Sequence, residues 1–294
     1  MKKNSVDVKV EAPSKDYAFA VAVPPVLWQI LFLYVPLAFI AYVSFVRVID
    51  VSVFKNITLE NYKALFSTSY FKVISRSVLL AFFNALFCLL LAYPMAYFLA
   101  IKIKKYKNLF LFLLVLPFWT NFLVQAYAWF FILDYKGLLN TLLIKIGIIA
   151  SPLHILNTPL AIYIVMLFCY LPFMVLPIYS SMAKIDKFVL EASSDLGATS
   201  WQTLGHITLP LSLSGIQTGF FLVLIPSFGE FVIPSLLGGG KSMYVGSLIS
   251  YFFLETKDLF LGSAFTCFSG LILIIVSIVI YFIFKKLGKK FSNY

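Results

Sequence analysis

Charge is scarce in this 294-residue chain, and acid is scarcest. Twelve Asp and Glu stand against 23 Lys and Arg, and together they make up only 12% of the residues. Soluble domains carry about a quarter charged residues. A chain that is 62% hydrophobic has too little polar surface to face water on all sides, so a soluble globular protein is excluded. Cysteine is also sparse. Cys88, Cys169 and Cys267 sit apart, each inside an apolar run and without CxxC spacing, which excludes a disulfide framework or a zinc site. The two histidines, His154 and His206, are isolated from any second ligand at metal spacing, so no metal or other cofactor is expected. The net charge of +11 invites a nucleic-acid reading. The basic residues instead fall in short clusters between apolar runs, a pattern that sets membrane topology, and no nucleic-acid partner is expected.

Long apolar runs are abundant. A membrane helix needs about 20 apolar residues, and six stretches qualify: about 19–46, 77–101, 108–133, 158–182, 211–233 and 261–284. The expected fold is all-α and integral to the membrane, with lipid as a constant partner. A transmembrane domain over 19–284 lies between a tail at 1–18 and a basic tail at 285–294. Prolines 36, 94, 117, 172, 177 and 226 lie inside these stretches and do not veto them, because neighbouring helices can satisfy the freed backbone groups. The first stretch is too long for a cleaved signal peptide, and the A-x-A at 18–20 precedes it. With both tails on one side, that side carries 14 Lys and Arg and the other 9. The excess predicts that both termini are cytoplasmic.

The connection at 183–210, AKIDKFVLEASSDLGATSWQTLGHITLP, is unlike the others. Ile185, Phe188, Ala192 and Leu196 recur at helical spacing. Gly197 is placed to stop that helix in a left-handed conformation. Thr199 and Gln202 have capping-box spacing, which predicts a second short helix from Ser200, and Pro210 marks the expected start of the fifth crossing. Connecting two crossings needs far fewer residues. A projecting, half-apolar hairpin fits a partner's groove or rests on lipid as an interfacial element.

The residues in this hairpin favour the partner. Glu191-Ala192-Ser193, then Gly197, then Ile207-Thr208-Leu209-Pro210 resembles the EAA signature of ABC importer permeases, with Ser193 in place of the second alanine. The resemblance extends over about 80–281. LPFWTNFLVQAYAWFFIL (116–133), KGLLN (136–140), LPFMVLPIYSSM (171–182) and PSFGEFVIPSLLGGGKS (226–242) look like the PotB-type permeases of bacterial spermidine/putrescine importers. Gln125 departs from relatives, which often have a basic residue there. The resemblance implies a type I ABC importer permease in the bacterial inner membrane, with no catalysis of its own. Its implied partners are a PotA-type ATPase dimer, a PotC-type second permease, a PotD-type extracytoplasmic binding protein and a polyamine substrate. It also implies that Glu191, Ala192, Ser193, Asp195, Gly197, Ile207 and Pro210 couple the chain to the ATPase.

A polycation's path should offer carboxylates and aromatic faces. Glu230 is the only acid inside a crossing by these limits. Carboxylates in lipid are expensive and normally face a cavity or a partner, so Glu230 is a substrate-path candidate. Its bland alternative is an interfacial glutamate with its head in water. Asp134, with Trp119, Tyr127 and Trp129 nearby in sequence, is either a second candidate group or an ordinary aromatic belt. Gly215-x-x-x-Gly219 suits a close helix contact, such as one between permeases. GGGKS at 238–242 lacks the first glycine of a phosphate-binding loop and follows no strand, so it is expected to form a turn. A self-sufficient ion-coupled transporter would need more intramembrane acids or two related halves. A membrane enzyme would need a nucleophile–base set or metal ligands.

Overall fold

A computed structural model describes residues 15–46, 57–103, 105–240 and 242–292. Most of the expected N-terminal tail, residues 1–14, lies outside the described residues. The described backbone is almost entirely helical. Its only bridge of strand type joins Val46 to Ile57.

α1 (Lys15–Gln29) passes through a π turn into α2 (Val35–Ser44). The short α3 (Glu60–Leu65) leads to α4 (Thr68–Tyr97), α5 (Lys107–Val115), α6 (Phe122–Leu133), α7 (Leu138–Lys145) and α8 (Pro159–Met182). Then come α9 (Lys187–Asp195), α10 (Ser200–Thr203), α11 (Leu209–Phe228), α12 (Val232–Leu237), α13 (Val245–Ser250) and α14 (Leu259–Ser292). By length and composition five helical stretches can cross a bilayer, and six can if one bent pair is counted as a single crossing. The basic segment expected as a tail from 285 continues α14 as helix to Ser292.

The bent pair occupies the place of the expected third crossing. Where one helix over 108–133 was expected, Lys107–Trp119 and Phe122–Lys145 meet at 96°. The break is chemically specified. Pro117 sits in a 3₁₀ turn, Leu116–Trp119, and the Thr120 hydroxyl donates to its carbonyl at 2.7 Å. Asn121 then caps α6, its side-chain oxygen accepting from the Leu123 N–H at 2.8 Å.

The prolines elsewhere are absorbed within their own helices. Pro36 follows the π turn Ile30–Tyr34, and Pro210 follows the π turn Leu204–Thr208. In each case the residue before the proline donates its N–H to the carbonyl five residues back. The extra residue gives room for the ring and for its missing donor. Helix therefore runs without interruption over Ser200–Phe228. The helix that holds the expected fifth crossing begins inside the hairpin, ahead of Pro210.

α4, α8 and α11 form the core, with Ala85 and Cys88 of α4, Val165, Met174 and Ile178 of α8, and Val223 and Leu224 of α11 all buried. Lipid tails are as apolar as leucine, so such helices associate by close packing and interhelical hydrogen bonds. Both are present. Asn84 Nδ2 donates to Ser227 Oγ at 2.8 Å across α4 and α11. Gly215 and Gly219 face α8 of the same chain. A Cβ on Gly215 would stand 2.6 Å from the Pro177 carbonyl oxygen, and one on Gly219 would stand 2.9 Å from Met174 Sδ. The glycine pair thus makes an internal contact and does not wait for a second permease.

Candidate functional site

The hairpin between α8 and α11 is held rigid by backbone caps. Asp186 caps α9, its carboxylate accepting from the Phe188 N–H at 3.0 Å. Gly197 closes that helix with φ +79°. The Ala198 N–H reaches back to the Ser193 carbonyl, and the Gly197 N–H to that of Ser194, both at 3.0 Å. That pair of bonds is a Schellman closure, which a residue with a Cβ adopts only under strain. The Thr199–Gln202 capping box forms as its spacing predicts. Ser193, the departure from the EAA pattern, is buried. Its hydroxyl donates to the Leu190 carbonyl at 2.8 Å and meets the Thr203 hydroxyl at 3.0 Å, tying α9 to α10. The small hydroxyl thereby does what a methyl could not.

What the caps hold in place is an apolar edge. Phe188, Leu196 and Trp201 are 76%, 88% and 82% exposed. Glu191, Ala192 and Asp195 are exposed beside them, and Ile207 and Pro210 are half-buried at the return to α11. Thr199→Ala removes one half of the capping box, a loss of about 1 kcal/mol. The expected result is about fivefold faster hydrogen exchange at the α10 amides, measured in detergent, with the crossings unaffected.

A second constellation forms at the far end of α11. Glu230 does not lie inside a crossing helix as expected. α11 ends at Phe228, and Glu230 occupies the break before α12. Its Oε1 accepts from the Val232 N–H at 2.9 Å and the Ile233 N–H at 3.4 Å. Its Oε2 accepts from the Tyr170 hydroxyl of α8 at 2.6 Å. Only 8% of the residue is exposed. Glu230, Gln125, Cys169 and Tyr170 line a cavity of about 350 Å³ walled by Phe118, Phe122 and Phe173. Gln125 Nε2 donates to the Pro117 carbonyl and the Thr120 hydroxyl, spanning the bend in the third crossing.

The other substrate-path candidates lie elsewhere. Trp119 is 76% exposed and packs edge-on to Phe112. Trp129 packs on Phe168 at 5.1 Å, and Tyr127 is exposed. Asp134 ends α6, and its carbonyl accepts from the Gly137 N–H at 2.8 Å. None of the four lines the cavity that Glu230 lines. Sequence reading missed Tyr170. Its only signal was a phenol hydroxyl midway along an apolar stretch, where polar groups join helices. Among the described residues no group of three or more His, Cys, Asp or Glu is placed to hold a metal ion.

Comparison with known proteins agrees with this architecture. The spermidine/putrescine transport system permease protein PotB of Salmonella typhimurium (strain SL1344) is 39% identical over 267 residues, covering 90% of this chain and 93% of that protein. The PotB of Haemophilus influenzae is 40% identical over 265 residues, covering 90% and 92%. Among solved structures, a chain of the bacterial alginate ABC transporter, in complex with its alginate pentasaccharide-bound periplasmic protein, superposes with a TM-score of 0.74. It is 18% identical and is covered to 95%, against 93% of this chain, so the fold is that of an ABC importer permease. The family described as binding-protein-dependent transport system inner membrane component matches residues 14–293, and the chain belongs to that family.

Proposed function

We propose that this chain is the membrane subunit through which an ATP-driven importer passes polyamines, spermidine and putrescine being the class. In this reading the chain sits in the bacterial inner membrane with both termini cytoplasmic. It forms the path with a second permease, receives substrate from an extracytoplasmic binding protein, and docks a separate ATPase dimer through the 183–210 hairpin. The observation that carries the coupling role is the exposed edge of Phe188, Leu196 and Trp201. Three large apolar side chains on a rigidly capped projection, outside the long apolar stretches, fit the groove of a partner that covers them. The polyamine class rests on the relatives' names and on their alignment over nine tenths of the chain. ATP hydrolysis on the partner would shift the hairpin and, with it, α8 and α11, opening the path alternately to each side.

Two measurements test the reading. Vesicles holding the complete complex should take up labelled spermidine or putrescine only with ATP and the binding protein present, and vesicles holding this chain alone should take up none. Uptake by the chain alone under an ion gradient would favour the ion-coupled alternative. The second measurement addresses sidedness. Ser194 is exposed on the hairpin, so in a Ser194→Cys variant an impermeant maleimide should label that position only after intact cells are permeabilised. Labelling from outside would put the hairpin on the wrong face and end the importer assignment.

A further inference from the structure

We infer that the cavity at the α11–α12 break is a seat for a single primary ammonium group, held by Glu230, Gln125 and Tyr170 within walls of phenylalanine. The inference rests on the polyamine-permease reading for its substrate class and refines it to one head group at one place.

Three observations converge on a cation. The first is the state of Glu230. Its carboxylate is almost wholly buried, and its partners are two backbone N–H groups and one phenol. These are dipoles, not charges, and among the described residues no Lys or Arg lines the cavity. A carboxylate buried without a cation bears a desolvation penalty that a paired one offsets. It also has about four acceptor positions, of which three are used. The second observation is the arrangement of acceptors. With Gln125 Nε2 committed to Pro117 and Thr120, its Oε1 is left on the cavity side, where the Cys169 thiol donates weakly to it at 3.7 Å. The Tyr170 hydroxyl donates its hydrogen bond to Glu230, and its oxygen keeps its lone pairs. An ammonium has three donors and no acceptor, and Glu230, Gln125 and Tyr170 offer it three acceptors from three elements.

The third observation is the walls. The rings of Phe118 and Phe173 lie 4.6 Å apart, and those of Tyr170 and Phe173 lie 6.2 Å apart. Aromatic faces attract a desolvated cation and accommodate the methylenes behind it. Phe118, Thr120, Phe122 and Phe173 are exposed, so the cavity opens at the surface of the bundle and a head group can arrive from outside the chain. Among the described residues no second carboxylate lines the cavity. The seat therefore takes one end of a polyamine, and the other ammonium must find its counter-charge beyond this chain.

The test uses the purified permease–ATPase complex without the binding protein, so that capture by that protein plays no part. The probe is n-butylammonium chloride, a single head group, compared with sodium chloride at equal ionic strength. The wild-type melting temperature should rise saturably with the probe, by about 2–4 °C at several times its Kd. Glu230→Gln keeps the shape and should lose that rise. Gln125→Lys places a tethered ammonium in the seat. It should melt higher than wild type without probe, as any lysine paired with Glu230 would, so the discriminating readout is that it ignores the probe when it is added. In uptake by the complete complex, Glu230→Gln should raise KM about tenfold or more. An equal rise in Glu230→Gln and wild type, no rise in wild type, or a Gln125→Lys that responds to the probe as wild type does would overturn the seat. Should the complete wild-type complex import no polyamine while n-butylammonium still raises its melting temperature, the seat stands and the polyamine reading falls.

Discussion

Replacing Glu191 by lysine is expected to abolish ATP-driven uptake while the chain still folds and inserts. Glu191 is exposed on α9, and the hairpin's internal bonds run through Asp186, Ser193, Thr199 and Gln202. The substitution therefore removes nothing that shapes the hairpin. Its local effect is to exchange the opposite-charge i, i+4 pair with Lys187 for a like-charge one, which costs about 1 kcal/mol at most. The consequence at a docked interface is of another order. Reversing a charge against a complementary surface costs several kcal/mol, and about 3 kcal/mol weakens binding by more than about 100-fold. Glu191→Gln should fall between the two, since it removes the attraction and adds no repulsion. The measurements are co-purification of the ATPase with each variant and polyamine uptake by the reconstituted complex. Retained co-purification and normal uptake by Glu191→Lys would remove the hairpin from the coupling role.

The hairpin and the crossings were legible in the sequence for different reasons. The hairpin is specified locally. Gly197, Thr199 and Gln202 act on groups within a few residues of themselves, so their spacing states the geometry, and φ +79° at Gly197 is the outcome. The crossings were legible through hydropathy, which reports depth but not direction. That is why the third was read as straight, although Pro117, Thr120 and Asn121 carry the chemistry of its 96° bend. Depth also misplaced Glu230. It is buried, but in a helix break, with its carboxylate accepting from the first N–H groups of the next helix. Its partner Tyr170 is 60 residues away. A pairing of that kind depends on how α8 and α11 cross, which no local pattern encodes. Gly215-x-x-x-Gly219 announced a close approach without saying to what. The surface it meets is α8, fixed by the same crossing.

That crossing carries the other large effect. Gly215→Ala should destabilise the protein by about 1–3 kcal/mol and lower transport further than the loss of folded protein explains. The added Cβ would lie 2.6 Å from the Pro177 carbonyl oxygen, 2.6 Å from Ser181 Cβ and 3.1 Å from Ile178 Cα. Two of these are backbone atoms of α8, so no side chain can rotate out of the way and the helices must separate. Gly270 of α14 has nothing within 4 Å of its would-be Cβ. Gly270→Ala is therefore the control, expected to melt at or slightly above wild type because alanine favours helix over glycine. The excess loss of transport follows from where Gly215 sits. α8 leads into the hairpin and α11 leads out of it, so under the proposed coupling role a push on the hairpin would reach the path through these two helices together. Tightly packed elements move as one body, and loosened ones slip. In Gly215→Ala, ATP hydrolysed per polyamine imported should rise when both are measured in the same vesicles. An unchanged ratio with a lowered melting temperature would leave Gly215 a packing residue only, and the stroke would have to travel by another route.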